Sequence, residues 1–185
     1  MKIEVKGEFN DCVEEGSSVL YRYLKRLYRN PKKDISASYK DKEWLMIILH
    51  VYFVLLFLGL IGMIFIEHED IFTIILNIIL FIFLIWVIST YHLARRKLKK
   101  SMVQLLSVPY QIMIHKDNLV VERGDDTDTI SWDTIGKVAI NPHSILFLTN
   151  QFGSKSVLIP SEYKESVLKG IKASNHENLV IDYTK

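Results

Sequence analysis

Two apolar runs with a short polar insert make up residues 57–83, FLGLIGMIFIEHEDIFTIILNIILFIF. The uncharged runs continue outward and cover 45–66 and 71–93. Each run exceeds the about 20 helical residues that cross a hydrocarbon core of ~30 Å. The carboxylates and imidazole of the insert, 67–70, would be costly inside hydrocarbon. The sequence therefore predicts a two-helix transmembrane hairpin with an outer turn at 67–70, and disfavours the alternative of buried helices in a soluble core.

Basic residues flank the predicted hairpin and are absent from its turn. Those before the first run are Lys25, Arg26, Arg29, Lys32, Lys33, Lys40 and Lys42, and those after the second are Arg95, Arg96, Lys97, Lys99 and Lys100. Because lysine and arginine favour the cytoplasmic side of a membrane, we expect a multi-pass membrane protein with both termini in the cytoplasm. The isoleucine- and lysine-rich, arginine-poor composition favours a bacterial source and hence the bacterial inner membrane. The single cysteine, Cys12, is then expected to be a free cytoplasmic thiol.

The region before the hairpin, 1–44, is predicted to contain a strand, an amphipathic helix and a basic linker. Residues 3–7 alternate apolar or small with charged side chains, which is typical of a half-buried strand. Asp11 and Glu14 then have the spacing of a capping box that opens a helix. The helix should end near Pro31, because the residue before proline avoids helical backbone angles.

The region after the hairpin is predicted to contain a basic juxtamembrane linker, 94–109, and a cytoplasmic domain, 110–185. Short β-rich segments separated by turn signals indicate an antiparallel meander. The segments are 110–115, 119–123, 129–132, 135–140, 144–149 and 156–159. Ser161 can cap a helix that runs to about Ala173, and 178–183 suits a final strand. The predicted fold class is therefore membrane α+β, with a meander and C-terminal helix resembling a pleckstrin-homology (PH-like) half-barrel.

Two short motifs carry a resemblance to a known family. They are ISWDTI at 130–135, which contains Trp132, and LIP at 158–160. Together with the two-helix layout, they make the chain resemble the YcxB-like membrane proteins of bacteria. The chain departs from the family where a basic residue is expected after the second motif, since Ser161 stands there. The resemblance implies the architecture and the membrane location, and it transfers no catalytic residue.

The basic cluster after the second run, Arg95, Arg96, Lys97, Lys99 and Lys100, is the clearest candidate for ligand contact. Basic residues next to a span attract anionic lipid with about 1 kcal/mol each near the surface. The same charges also determine topology, and the two roles are compatible. The net charge of +2 gives no indication of nucleic-acid binding, and we expect no such partner.

Small and polar residues inside the runs suggest a helix-packing seam. Gly59 and Gly62 permit close approach of helix backbones, and Asn77 would seek a polar partner in a membrane. Packing within the hairpin and a seam for a homo-oligomer or protein partner both remain open. His50 and His92 lie near the cytoplasmic ends of the runs, with an expected depth difference of roughly 7 Å at ~1.5 Å per residue. That offset argues against a shared metal site.

Two further features have a structural and a functional interpretation. Trp132 is expected to be a sheet aromatic whose indole N–H finds a carbonyl, and the alternative is a ligand-stacking role. The acidic stretch 124–128 is expected to be a hairpin turn, since it lacks the glycine and glutamate of a calcium loop. We expect neither a cofactor nor a metal.

These features favour a non-catalytic membrane protein that presents a PH-like binding or regulatory domain at the membrane surface. An alternative is an immunity protein against a membrane-active, bacteriocin-type peptide, which the acidic outer turn could attract. A third hypothesis is an enzyme acting at the inner face, with Asp133, His115 and His143 as the residues to test.

Overall fold

The computed structural model of the chain describes residues 1–7, 9–29, 36–38, 40, 44–63, 71–150 and 155–184. The chain forms two compact units, one of Met1–Asp41 with Lys97–Lys185 and one of Lys42–Arg96. We call the first the α+β unit and the second the apolar unit. The predicted outer turn at 67–70 lies outside the described residues.

Among the described elements, three helices follow β1, six strands follow these helices, and α4 precedes the last strand, β8. The helices are α1 (Asn10–Arg29), α2 (Trp44–Met63), α3 (Ile71–Leu106) and α4 (Lys164–Ala173). The strands are β1 (Lys2–Val5), β2 (Tyr110–Ile114), β3 (Asn118–Arg123), β4 (Asp126–Ser131), β5 (Ile135–Ile140), β6 (Ser144–Thr149), β7 (Val157–Pro160) and β8 (Val180–Asp182). The strands after the apolar helices match the predicted segments closely, because their boundaries follow glycine, proline and Asx turn signals.

The strands form two four-stranded sheets, ordered β1-β2-β3-β4 and β7-β6-β5-β8. The first is wholly antiparallel, whereas β8 pairs with β5 in parallel. The prediction of a single antiparallel meander is therefore wrong in this respect, and the second sheet is mixed. The parallel pair is feasible because β6, β7 and α4 lie between β5 and β8 in the chain, and a parallel connection needs a long crossover.

The N-terminal strand and helix are part of the core of the α+β unit. Ile3 and Val5 on β1 are buried while Lys2 and Glu4 are exposed, which is the expected period of two. Helix α1 packs against β6 and β7. Its apolar face contributes Val13, Val19, Leu20, Tyr23 and Leu27 to the core.

Two predicted helix caps are wrong. Helix α1 begins at Asn10, so Asp11 lies in its first turn rather than ahead of it. Helix α4 begins at Lys164, after a short 3₁₀ turn. The Ser161 hydroxyl instead donates to the carbonyl of Pro142 at 2.7 Å, and thereby ties the end of β7 to the β5–β6 turn.

The predicted linker at 94–109 differs from the structure, because α3 continues as a helix to Leu106. Leu98, Met102 and Leu106 pack into or against the core of the α+β unit. Their spacing of four residues places them on one helical face. A prediction based on average composition misses this apolar stripe, because basic residues lie between its members in the sequence.

Candidate functional site

The apolar unit exposes large apolar side chains that a soluble core would bury. Ile71 is 73% exposed, and Leu55 and Ile82 are each 60% exposed. Among the described residues, Ile71–Gln104 within α3 is long and apolar enough to cross a membrane, and Met46–Gly62 within α2 is a shorter apolar helix. Only 6% of the most apolar window of α3 is buried, which contradicts the alternative of a buried core helix.

The predicted packing seam does not join α2 to α3 through the glycines. A Cβ atom added at Gly59 or Gly62 would meet nothing within 4 Å in the described part of the chain. Aromatic rings make the contact instead: Phe81 on α3 stacks on Phe53 of α2 with ring centroids 4.9 Å apart, and on Phe57 at 5.8 Å. Asn77 is half-buried on α3. The choice between packing within the hairpin and a seam for a second molecule therefore stays open for the glycines.

His50 of α2 and His92 of α3 are in contact, although the offset predicted from backbone rise suggested that they would be apart. The Nε2 atoms of His50 and His92 lie 3.4 Å apart, and the ring centroids 5.6 Å apart. Helical side chains point back toward the N-terminus of their own helix. Because α2 and α3 run in opposite directions at this pair, the two side chains lean toward each other. The side-chain directions therefore compensate for the difference in depth between the two backbone positions, which an estimate from helical rise alone does not include.

The basic cluster lies on α3 with its side chains mostly at the surface. Arg96, Lys97, Lys99 and Lys100 are exposed, and Arg95 is half-buried. The Lys99 ammonium pairs with the Glu14 carboxylate of α1 at 3.3 Å. Both side chains of that pair are well exposed, so it contributes little to stability, and the cluster keeps its cationic character.

Trp132 has the structural role that the sequence suggested. The residue is only 4% exposed, and its indole Nε1–H donates to the carbonyl of His115 at 3.0 Å. Its ring stacks on that of His176 with centroids 4.4 Å apart and also contacts Phe147. These partners fix the turn between β4 and β5 rather than offering a free face for a ligand.

The acidic stretch 124–128 contains the predicted turn, but the turn between β3 and β4 is only Gly124 and Asp125, because β4 already begins at Asp126. Gly124 adopts a φ of 57°, a left-handed conformation that suits glycine. The Asp128 carboxylate pairs with Arg123 and with Lys155. A carboxylate already paired with cations from two elements is a poor calcium ligand, which further favours the structural interpretation.

A cavity of about 480 Å³ lies where the start of α1 meets the end of β7. Cys12, His143 and Glu162 are among the residues that line it. Burial, and then the neighbouring carboxylates of Glu15 and Glu162, raise the pKa of the Cys12 thiol from 9.0 to about 12. The thiol is therefore protonated at neutral pH and is a poor nucleophile.

The residues named for an enzymatic hypothesis use backbone atoms to hold turns together. The His143 amide donates to the Glu15 carboxylate at 3.1 Å, and the Ser144 hydroxyl donates to the same oxygen at 2.6 Å. The His115 carbonyl accepts the indole N–H of Trp132, and the Asp133 amide donates to the Ser131 hydroxyl at 3.4 Å. These contacts stabilise turns.

A larger groove of about 760 Å³ lies between α4 and β8. Apolar side chains, including Ile140, Leu168 and Val180, line it, and Lys169 and Lys172 of α4 are also among its lining residues. An apolar floor with a few charged groups is typical of a ligand or peptide groove. This groove was not predictable from local sequence patterns, because β8 lines it and pairs with β5 only through a long-range parallel contact.

No protein-family model, curated protein or solved structure matches this chain. The residues of the family-like motifs lie in β4, β5, β7 and the turn at Trp132. The resemblance to YcxB-like proteins therefore stays a prediction, and the function has to be inferred from the geometry of the chain itself.

Proposed function

We propose that this protein is a non-catalytic protein of the bacterial inner membrane, in which a two-helix hairpin tethers a cytoplasmic PH-like binding domain. The observation that carries the proposal is the pairing of β1 with β2. These strands come from opposite sides of the apolar segment in the chain, yet they share one sheet.

A segment that leaves a folded unit and returns to it has to cross a bilayer an even number of times. Helix α3 supplies one crossing by its length and composition. Helix α2 has 20 residues, or about 30 Å at ~1.5 Å per residue, which matches the thickness of the hydrocarbon core. The sequence continues apolar to residue 66, so a second crossing by α2 completes the hairpin.

The basic residues support a cytoplasmic location for the α+β unit. Lysines and arginines precede α2 and follow the apolar part of α3, while 67–70 contains neither. Under the positive-inside rule this distribution puts the α+β unit in the cytoplasm. The exposed members of the basic cluster other than Lys99, which pairs with Glu14, are Arg96, Lys97 and Lys100. These residues would then contact anionic headgroups of the inner leaflet.

Two observations support a binding role for the α+β unit. The groove between α4 and β8 offers an apolar floor with charged groups beside it, which suits a protein or lipid partner near the membrane. The one thiol, Cys12, is buried and has a raised pKa, which argues against thiol chemistry. Helix α4 follows seven of the eight strands in the chain, an order compatible with the PH-like expectation.

The topology is tested by cysteine accessibility in intact cells. In a Cys12→Ser background, one variant carries Asp125→Cys in the exposed β3–β4 turn and another carries His68→Cys in the predicted outer turn. A membrane-impermeant maleimide should label the His68 variant in intact cells and the Asp125 variant only after permeabilisation. Labelling of the Asp125 variant in intact cells would overturn the cytoplasmic assignment.

The binding role is tested by site-specific photo-crosslinking in living cells. A photoreactive amino acid at Leu168, in the groove, should give a discrete adduct with one protein or with lipid. The same group at Asp125, on an exposed turn remote in sequence from the groove residues, serves as the matched control. Identical adduct patterns at both positions, or none at Leu168, would contradict a specific binding surface at the groove.

A further inference from the structure

Strand β8 is an outer strand of its sheet, and in the described part of the chain it pairs with β5 alone. The amide of Tyr183, which follows β8, donates to the carbonyl of Ile140 on β5 at 2.9 Å. Because the backbone groups of successive residues in a strand point to opposite edges, the amide and carbonyl of Asp182 point away from β5. The outer edge of β8 is therefore in a position to pair with a further strand.

The apolar side chains of β8 are less buried than those of the other three outer strands. Val180 and Ile181 are half-buried, whereas every apolar residue of β1, β4 and β7 is buried. Outer strands are often protected against pairing by lysine or proline, and β8 contains neither. Half-exposed valine and isoleucine at such an edge indicate a surface suited to a partner.

The groove of about 760 Å³ between α4 and β8 follows this edge. All three residues of β8 line it. Because successive side chains of a strand point to opposite faces, a groove that contacts all three runs beside the strand rather than across one face. Helix α4 forms the other wall. The Lys164 ammonium at the start of α4 donates to the Asp182 carboxylate at the end of β8 at 2.9 Å, so the two walls are joined at one end.

The charged residues that line the groove have a positive excess. Lys169 and Lys172 lie three residues apart on one face of α4, and both are exposed. In the described part of the chain neither is paired with a carboxylate, whereas Asp182 is already paired with Lys164. Glu177 supplies one negative charge against the two lysines. The groove therefore favours a partner segment with acidic side chains.

We propose that the groove between α4 and β8 binds an extended acidic segment of a partner protein, which adds as a strand to the outer edge of β8. The inference rests on the proposed binding role of the α+β unit and names the class of partner. Main-chain hydrogen bonds to β8 hold the segment, and its alternate side chains contact Leu168 and Val180. Its carboxylates pair with Lys169 and Lys172. A phospholipid lacks the row of amides that pairs with a strand, so the edge favours a peptide over a lipid.

The first test is the selection of short random-sequence peptides, by display, on the full-length protein in detergent. The wild type should enrich peptides in which acidic residues accompany β-branched ones. The double variant Lys169→Glu, Lys172→Glu should bind the selected peptides at least about tenfold more weakly, since repulsion replaces attraction at both positions. Its matched control is Lys2→Glu, Lys6→Glu, which makes the same change of charge on β1 in the other sheet. The control should keep the affinity within about twofold, because distant exposed charges are screened.

The second test uses the wild-type protein and does not depend on the folding of a variant. An added strand bonds to its neighbour through every second amide. N-methylation of one alternating set of amides in a selected peptide should abolish binding, and N-methylation of the other set should leave the affinity nearly unchanged. Equal effects of the two sets would overturn strand addition.

The photo-crosslinked adduct at Leu168 separates this inference from the proposed function. A protein adduct that is lost in Lys169→Glu, Lys172→Glu and kept in the matched control would support the acidic segment. A lipid adduct would leave the binding role intact and overturn the inference. Selection that enriches no acidic peptides on the wild type would overturn it as well. The cysteine-accessibility experiment bears on the topology alone.

Discussion

Ile3 lies directly opposite Ile112 in the antiparallel pairing of β1 with β2. Both side chains are buried, with exposed fractions of 4% and 0%. The pairing joins chain segments on the two sides of the apolar helices. It places the N-terminal strand in the hydrophobic core, so the two cytoplasmic regions predicted from the sequence fold as one unit.

Replacement of Ile3 by alanine should destabilise the α+β unit by about 2–4 kcal/mol, because it leaves a cavity in a packed core. The measurement is thermal or urea unfolding of the full chain in detergent, followed by circular dichroism of the β structure. Glu4→Ala is the matched control on the opposite, exposed face of β1 and should change stability by less than about 0.5 kcal/mol. Similar losses for both variants would contradict the burial pattern.

The strands were predictable because their signals are local. Asp117, Gly124 and Pro142 mark turns within a few residues of where the structure has them. The division into two sheets was not predictable, since it depends on which strands pair at long range. The parallel pairing of β8 and the extension of α3 to Leu106 likewise depend on tertiary contacts. The local spacing of apolar residues does not reveal such contacts.

The candidate sites show the same limit. Trp132 was correctly predicted to be a buried aromatic whose indole N–H donates to a carbonyl, but it lies in the 3₁₀ turn after β4 rather than in the predicted strand. The pairing of His50 with His92 was missed, because the depth estimate used backbone rise and ignored the direction of side chains. Antiparallel helices bring such side chains toward each other, and a search that includes the Cα–Cβ direction would have found the pair.

A second prediction concerns the close approach of α1 to β7. A Cβ atom at Gly16 would lie 2.5 Å and 2.9 Å from the two methyl carbons of Leu158. Gly16→Val should therefore destabilise the α+β unit by about 1–3 kcal/mol through overpacking, measured by the same unfolding experiment. Adding Leu158→Ala should relieve part of the loss, so the two changes should be less than additive. Strict additivity would show that the two residues are not in contact.

The Cys12 thiol should be almost inert in the folded protein. A pKa raised from 9.0 to about 12 lowers the thiolate fraction at pH 8 by roughly 1,000-fold, and burial blocks access as well. Maleimide labelling at pH 8 should therefore be slow in the native state and fast in urea. The control is Asp125→Cys with Cys12→Ser, whose exposed thiol should react rapidly in both conditions. If native Cys12 were labelled as fast as the exposed control thiol, the start of α1 would have to open readily.

The last prediction concerns Asp182 on β8. The Thr184 hydroxyl donates to its Oδ1 at 2.6 Å, and the Lys164 ammonium of α4 donates to its Oδ2 at 2.9 Å. These bonds to the charged form, that of Thr184 foremost, lower the pKa of Asp182 from 3.8 to about 2. Because the folded pKa lies below the unfolded one, the carboxylate stabilises the fold above about pH 4 and loses this effect as the pH falls to about 2.

Asp182→Asn should therefore reduce stability at pH 7 by about 1 kcal/mol, a value that allows for solvent screening. The difference in unfolding free energy between this variant and the wild type should shrink between pH 4 and pH 2 and vanish below pH 2. Unfolding curves at several pH values measure this directly. Lys164→Met serves as a control that removes the ion pair and keeps the Thr184 bonds, so it should cost less than Asp182→Asn. A penalty for Asp182→Asn that stays constant from pH 7 to pH 2 would mean that the side chain acts through its shape and not through its charge.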